Sequence, residues 1–310
     1  MKLHQLRALL AVSETGSIHE AARRLHLSQP AVSKALRELE EGLGAPLLLR
    51  ATTGVRLSRY GRSLVKHARV VEQELRHAAE EIDALLGIAR GSLTVAVTPV
   101  TATGPVGAAL KRFIRDEPQV TVSVVELRPA AIDAGLADGT IDLALVSLTT
   151  PPAEARFHWR PLYTVPTFAA VRDGHRLAGV TSLADLGAER WLSWDPGGEP
   201  SSLIAGIFAA HGLPSPASVL RCSSAMLFLE LATETDLISV WSEVIYAVPG
   251  MRTRLRALNL PGPMPVLEVG VLCRDPELLT SVAARFLRLL DAAREKMPMD
   301  HLPGRGFGAA

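Results

Sequence analysis

Residues 17–50 read S-I-H-E-A-A-R-R-L-H-L-S-Q-P-A-V-S-K-A-L-R-E-L-E-E-G-L-G-A-P-L-L-L-R. Ser17 is placed to cap a short helix whose inward residues are Ile18, Ala21, Ala22 and Leu25. His26-Leu27 makes a turn, and Ser28 caps a second helix with Pro30 in its first turn, where the missing N–H is no loss. The stripe Val32, Leu36, Leu39 and Leu43 recurs at helical spacing. The other face carries Gln29, Ser33, Lys34 and Arg37, polar groups able to reach base edges and phosphates. This is the pattern of a helix-turn-helix, in which one helix braces and the next enters the major groove by its N-terminal end.

Working outward, Lys2 to Thr15 predicts a helix with Leu3, Leu6, Leu9, Leu10 and Val12 inward, stopped by Gly16, and Gly44 ends the third helix. Leu47–Arg50 and Val55–Leu57 flank Thr52-Thr53-Gly54, a hairpin signal that reads as a small wing. Ser58 is placed as another N-cap. From there Leu64, Ala68, Val71, Leu75, Ala78, Ile82 and Leu85 follow alternating steps of four and three, a heptad seam among charged neighbours. The seam predicts a dimerising coiled coil, which suits a two-fold protein reading inverted half-sites.

The net charge of +1 hides an asymmetry. Residues 1–69 hold 12 Lys/Arg against 5 Asp/Glu, a net of +7, and the remaining residues hold 21 against 27, a net of −6. A basic segment that coincides with a helix-turn-helix pattern predicts contact with a polyanion.

After a short linker at 87–91 the texture changes. Strands at 92–97, 120–126 and 141–147 alternate with helices at 105–116 and up to Asp138-Gly139. Further strands fall at about 163–171, 191–194, 218–222, 237–241 and 266–273, with helices at 201–211, 224–233 and 277–296. Alternation of this kind predicts an α/β domain with a parallel sheet and crossovers. The tail 298–310, with two Pro and three Gly, predicts disorder.

The run A-A-R-R-L-H-L-S-Q-P-A-V-S-K-A-L-R-E-L-E-E-G-L-G-A-P-L-L-L-R, followed by G-V-R-L-S-R-Y-G, resembles the N-terminal signature of LysR-type transcriptional regulators. The matching positions are Ala21, Ala22, Leu25, Ser28, Gln29, Pro30, Ser33, Leu36, Leu39, Glu40, Gly44, Leu47, Arg50, Leu57 and Gly61. A departure is Leu48-Leu49, where many members carry Phe-Glu. The form running through Lys66-His67-Ala68-Arg69 is most similar to a subgroup that includes a toluenesulfonate-responsive regulator. The resemblance implies a winged helix-turn-helix at 1–58, a linker helix at 59–87 and a two-lobed, periplasmic-binding-protein-like effector domain at 91–297. Lobe I would hold 91–161 and 267–297, and lobe II 162–266. It also implies homodimers and tetramers, double-stranded promoter DNA and RNA polymerase as partners, and a ligand in the interlobe cleft.

By this resemblance Gln29 pairs with adenine, Lys34 or Arg37 with guanine or phosphate, and Ser28 and Ser33, beside Pro30, with phosphates or nearby bases. Arg50, Thr52, Thr53 and Arg56 on the wing suit the backbone or minor groove. Glu38, Glu40 and Glu41 place the far end of the helix away from phosphate.

Ligands of open α/β sheets bind at the carboxyl ends of strands. Thr98, Val100 and Thr101 in the loop after the first strand, Ser147 at a strand end, Ser201 and Ser202 opening a helix after Gly197-Gly198, and Ser223 beside Ser224 are the candidates there. Trp194 is a candidate for stacking on an aromatic ring, and Arg128 for a counter-charge. Hydroxyls at helix starts favour a small organic acid, an aromatic carboxylate or sulfonate.

Two cysteines, Cys222 and Cys273, are too few for a disulfide framework and read as buried structural residues. The nine His show no metal-ligand spacing, and no phosphate-binding glycine loop or nucleophile elbow occurs. No metal, cofactor or catalysis is expected. No leader and no apolar run of about 20 residues is found, so the cytoplasm, at the nucleoid, is the expected location. The rival readings are a solute-binding sensor without DNA-directed activity and a cysteine redox-sensing regulator.

Overall fold

A computed structural model describes residues 1–51, 54–86, 91–127, 129–150, 156–194 and 203–296. The chain divides into two compact units, Met1–Gly91 with Ala130–Asp142, and Ser92–Pro129 with the chain from Leu143 onward.

The first unit opens with α1 (Leu3–Thr15), α2 (Ile18–Arg24) and α3 (Gln29–Leu43). Ser17 and Ser28 accept hydrogen bonds from Glu20 N–H and Ala31 N–H and so cap α2 and α3 as their sequence positions predict. Gly16 and Gly44 end α1 and α3 at φ +66° and +64°, a conformation glycine adopts without steric cost. The α2–α3 turn falls at His26, whose φ of +53° is the one positive value at a non-glycine residue among those described. Leu9, Val12, Ala21, Ala22, Val32, Leu36 and Leu39 close a small core between the three helices.

The wing is β1 (Leu48–Ala51) paired antiparallel with β2 (Gly54–Leu57). A single carboxylate oxygen, Glu40 Oε1 on α3, accepts from the Leu47 and Leu48 amides at 2.7 and 3.0 Å. On the other side Val55 N–H donates to Gly16 O at 3.0 Å. Next comes α4 (Arg59–Leu85). Ser58 accepts from Gly61 N–H at 3.1 Å and donates to Pro46 O at 2.6 Å, so it caps α4 while holding the wing entry. A Cβ on Gly61 would lie 2.2 Å from Leu47 O.

The heptad seam on α4 is not one continuous exposed stripe. Ala68 is buried in its own chain and Leu64 packs on the three-helix core. Val71, Leu75, Ala78, Ile82 and Leu85 are exposed. The reason is that the first turns of α4 lie on α1, where Arg7 forms an ion pair with Glu72 at 3.0 Å.

The strands and helices that follow are β3 (Gly91–Val97), α5 (Pro105–Asp116), β4 (Val120–Glu126), α6 (Pro129–Asp138), β5 (Leu143–Leu148), β6 (His158–Arg172), β7 (Arg190–Trp194) and α7 (Leu203–Ala210). The chain then forms β8 (Ser218–Cys222), α8 (Ala225–Glu234), β9 (Ile238–Ser242), α9 (Glu243–Tyr246), α10 (Met251–Arg254), β10 (Leu255–Ala257), β11 (Val266–Cys273) and α11 (Ser281–Arg294). Residues 130–142, expected in the first lobe, cluster with the first unit instead. There Arg69 on α4 meets Asp138 at 2.9 Å, and Gln73 and His77 both reach Asp142 at 3.1 Å.

The second unit is built on one nine-stranded sheet in the order β4-β3-β5-β11-β6-β9-β7-β8, with β10 also on β6. The parallel expectation holds for β3–β5, β7–β8 and β7–β9. It fails for β6, β10 and β11, whose pairings are antiparallel, so the sheet is mixed. The first half of β6 pairs with β11 and its second half with β9 and β10. Both expected lobe crossings, at 161–162 and 266–267, therefore fall inside paired strands. Phe113 and Phe286 meet edge to face at 5.7 Å in one core, Trp191 and Phe208 at 5.4 Å in another.

Glu40→Ala removes the acceptor of both wing-entry amides and should lower stability by about 1.5–3 kcal/mol. Gly61→Ala should also lower the melting temperature, because backbone must move. Thermal unfolding followed by circular dichroism checks both, and an unchanged melting temperature for Glu40→Ala would show that solvent replaces the two bonds.

Candidate functional site

α3 turns the buried stripe Val32, Leu36 and Leu39 inward and leaves Gln29, Pro30, Lys34 and Arg37 exposed, with Ser33 half-buried. Ser28 is exposed too, but its oxygen already accepts from Ala31 N–H, so a DNA contact would use the hydroxyl hydrogen. Lys34 is 74 % exposed and only loosely held, Nζ lying 3.9 Å from Glu38. Glu38 also accepts from Gln5 at 3.3 Å, and Glu40 holds the wing. These two acids have intramolecular tasks that the sequence reading did not give them.

On the wing, Arg56 is exposed and stands opposite Leu49. Arg50 lies on β1, its side chain outside the described residues, as are Thr52 and Thr53 entirely. Two exposed arginines at the start of α4, Arg59 and Arg62, were not among the expected DNA contacts. Arg62 donates to Leu57 O at 3.0 Å and so stays beside the wing. Their signal in the sequence was the basic run flanking the hairpin.

In the second unit, Thr98 and Ser147 come together, their hydroxyl oxygens 3.2 Å apart. Thr101 is fully buried and committed to the fold. Its hydroxyl accepts from Thr98 N–H at 2.9 Å and donates toward Leu145 O at 2.7 Å, so it clips the loop rather than facing a ligand. Val100 and Leu203, the first described residue after Ser201 and Ser202, pack against the same core cluster as Leu162, Tyr163 and Val244. The loop after β3, the start of α7, α9 and the middle of β6 thus all contribute to one apolar cluster. Arg128, Gly197, Gly198, Ser201, Ser202 and the tail 298–310 lie outside the described residues.

Trp194 and Ser223 do not join this group. Trp194 packs edge to face on Phe228 at 5.6 Å, within the cluster of Leu192 and Trp241. Alternation along β7 puts Trp191 in the cluster of α7 on the opposite face. Ser223 is exposed, next to Ser224, which caps α8.

Both cysteines are buried and free, and they belong to different clusters. Burial pushes the Cys273 thiol up to about 11, with nearby Asp275 adding to the effect and Arg160 opposing it. Among the described residues no group of three or more His, Cys, Asp or Glu is placed to hold a metal, and no helix is long and apolar enough to cross a membrane.

This geometry is matched by known proteins. Residues 3–62 fit the bacterial regulatory helix-turn-helix proteins of the lysR family, and residues 87–295 fit the LysR substrate binding domain. The chain belongs to the LysR family of transcriptional regulators, with a DNA-binding helix-turn-helix and an effector-binding domain. It is 29 % identical over 251 residues to the HTH-type transcriptional regulator GbpR of Azospirillum brasilense, covering 80 % of this chain and 73 % of that one. It is 27 % identical over 305 residues to the uncharacterized HTH-type transcriptional regulator YdcI of Escherichia coli K12, 96 % of each. The crystal structure of full-length CbnR complexed with its target DNA shares the fold, with a TM-score of 0.67 at 24 % identity over 94 % of this chain and 100 % of that one.

Gln29→Ala should weaken binding to operator far more than to scrambled DNA, and Arg56→Ala should weaken both alike and flatten the salt dependence by about one charge. Gel-shift titrations on the two DNAs decide this, and equal losses for Gln29→Ala would end its reading role. Thiol titration of the native protein with an aromatic disulfide should be slow at both cysteines until denaturant is added, since both are buried.

Proposed function

We propose that this regulator binds paired half-sites in promoter DNA as a homodimer, assembled into tetramers through its effector domains, and changes transcription when a small organic acid binds. The observation that carries the DNA reading is the exposed α3 residues Gln29, Lys34 and Arg37 with half-buried Ser33, together with an exposed Arg56 on the wing. The contact of Thr98 with Ser147, and Val100 and Leu203 on one apolar cluster, support the acid site. Hydroxyls on an apolar wall suit an aromatic carboxylate or sulfonate.

In this reading residues 1–58 bind DNA, 59–87 dimerise, and 91–297 take the effector between lobes 91–161 with 267–297 and 162–266. The dimer seam is Val71, Leu75, Ala78, Ile82 and Leu85, apolar and exposed along α4. RNA polymerase is the downstream partner, and the nucleoid in the cytoplasm is the place of action. The acid acts by favouring one arrangement of the DNA-binding heads, which requires different affinity for the two arrangements.

Gel shift and footprinting on the DNA upstream of its own gene, with and without a panel of aromatic and aliphatic acids, test this. Paired, salt-sensitive protection that changes with one acid is the expected result. Acid binding by calorimetry with no specific DNA binding would favour the solute-binding reading instead.

A further inference from the structure

Two buried hydroxyls, Tyr163 Oη and Ser242 Oγ, make no hydrogen bond among the described residues. Their residues are 7 % and 3 % exposed. Leaving a buried hydroxyl unmatched costs stability, and native proteins keep few such groups. The unmatched nitrogens of His77, Arg160 and Arg285 are a different case, because those side chains are anchored to Asp142, Asp291 and Glu117. Tyr163 and Ser242 have no other side-chain polar atom.

Register places them on one face of the sheet. Tyr163 stands opposite Val269, and Val269 opposite Ser147, so the three share a face across β6, β11 and β5. Thr98 meets Ser147. Alternation along β6 puts Thr167 on the Tyr163 face, and Thr167 stands opposite Ser242. Thr167 is spoken for, donating to Pro265 O at 2.6 Å. Ser147 and Tyr163 therefore lie in line across β11, with Thr98 beside Ser147, and Ser242 lies on the same face about 13 Å further along β6.

A β-bulge aims the tyrosine. Tyr163 pairs with Val269 but Pro161 pairs with Gly270, so Leu162 is the extra residue. Consecutive side chains, Leu162 and Tyr163, are both buried as a result. Bulges of this kind recur beside functional sites, where they redirect a side chain. Tyr163 belongs to an apolar cluster that also holds Val244, with Val100 and Leu203 packed against it. Burial pushes the Tyr163 hydroxyl up to about 12, so it stays protonated and able to donate at neutral pH.

We propose that Tyr163 and Ser242 are specificity-determining residues of the effector site, donating hydrogen bonds to the oxygens of a small organic acid. The assignment rests on the acid-binding reading above and adds which neutral donors select the acid. The protein keeps two hydroxyls unmatched because the bound oxyanion matches them, a stability loss retained for function.

Full-length Tyr163→Phe and Ser242→Ala proteins test this, with benzoate and 4-toluenesulfonate as calorimetric probes. Each variant should melt at or above the wild type without acid, by up to about 2 °C, because an unmatched hydroxyl is gone. Each should bind the acid that the wild type binds about tenfold more weakly or worse, with acid-free DNA binding unchanged. A lower melting temperature would show that the hydroxyls serve the fold and overturn the proposal. Wild-type binding with unaltered variants would overturn this assignment alone. A wild type that binds neither acid would bring down the acid reading and this assignment with it.

Discussion

The pairing of β6 with β11 is the constraint on which the second unit depends. The two strands run antiparallel through nearly the whole of β11, and each then contributes to neighbours on its far side. Because β6 gives its first half to β11 and its second half to β9 and β10, one continuous ladder carries both lobes. Movement of one lobe against the other must be taken up in these strands or in the bulge at Leu162. Gly270, opposite it, has no room for a side chain, since a Cβ would meet Trp159 at 2.4 Å.

The DNA-binding unit solves a different problem. Its recognition helix must be rigid yet expose its N-terminal face, and rigidity comes from behind. The buried stripe of α3 fixes its rotation about its axis, and Glu40 ties its far half to the wing. Spacing between α3 and the wing is therefore set by a carboxylate accepting two backbone amides, a stronger bond than a neutral one. Surface pairs such as Lys34 with Glu38 add little stability and leave the lysine free to exchange partners.

Much of this was legible in the sequence. The caps Ser17, Ser28 and Ser58, the stops at Gly16 and Gly44, the stripe of α3 and the wing hairpin were read correctly, because each rests on bonds within a few residues. Most strands and helices of the second unit were placed too, but β6 is longer than its apolar run, α11 starts at Ser281 and not 277, the short α9, α10 and β10 were not expected, and the antiparallel directions were missed. The candidate site was read less well. Thr98 and Ser147 do meet, but the Thr101 hydroxyl is bonded within its own loop and strand and Trp194 belongs to another core.

What the sequence determined by itself, then, was local: periodicity, capping and turn chemistry are short-range, and together they define a winged helix-turn-helix followed by an α/β domain. Only the tertiary structure decided which end of the heptad seam is covered, which hydroxyls are already bonded, and which face of the sheet each strand residue occupies. Those outcomes depend on register between strands distant in the chain. Shifting that register by one residue would send Tyr163, Thr167 and Ser242 to the opposite face, and no local pattern records it.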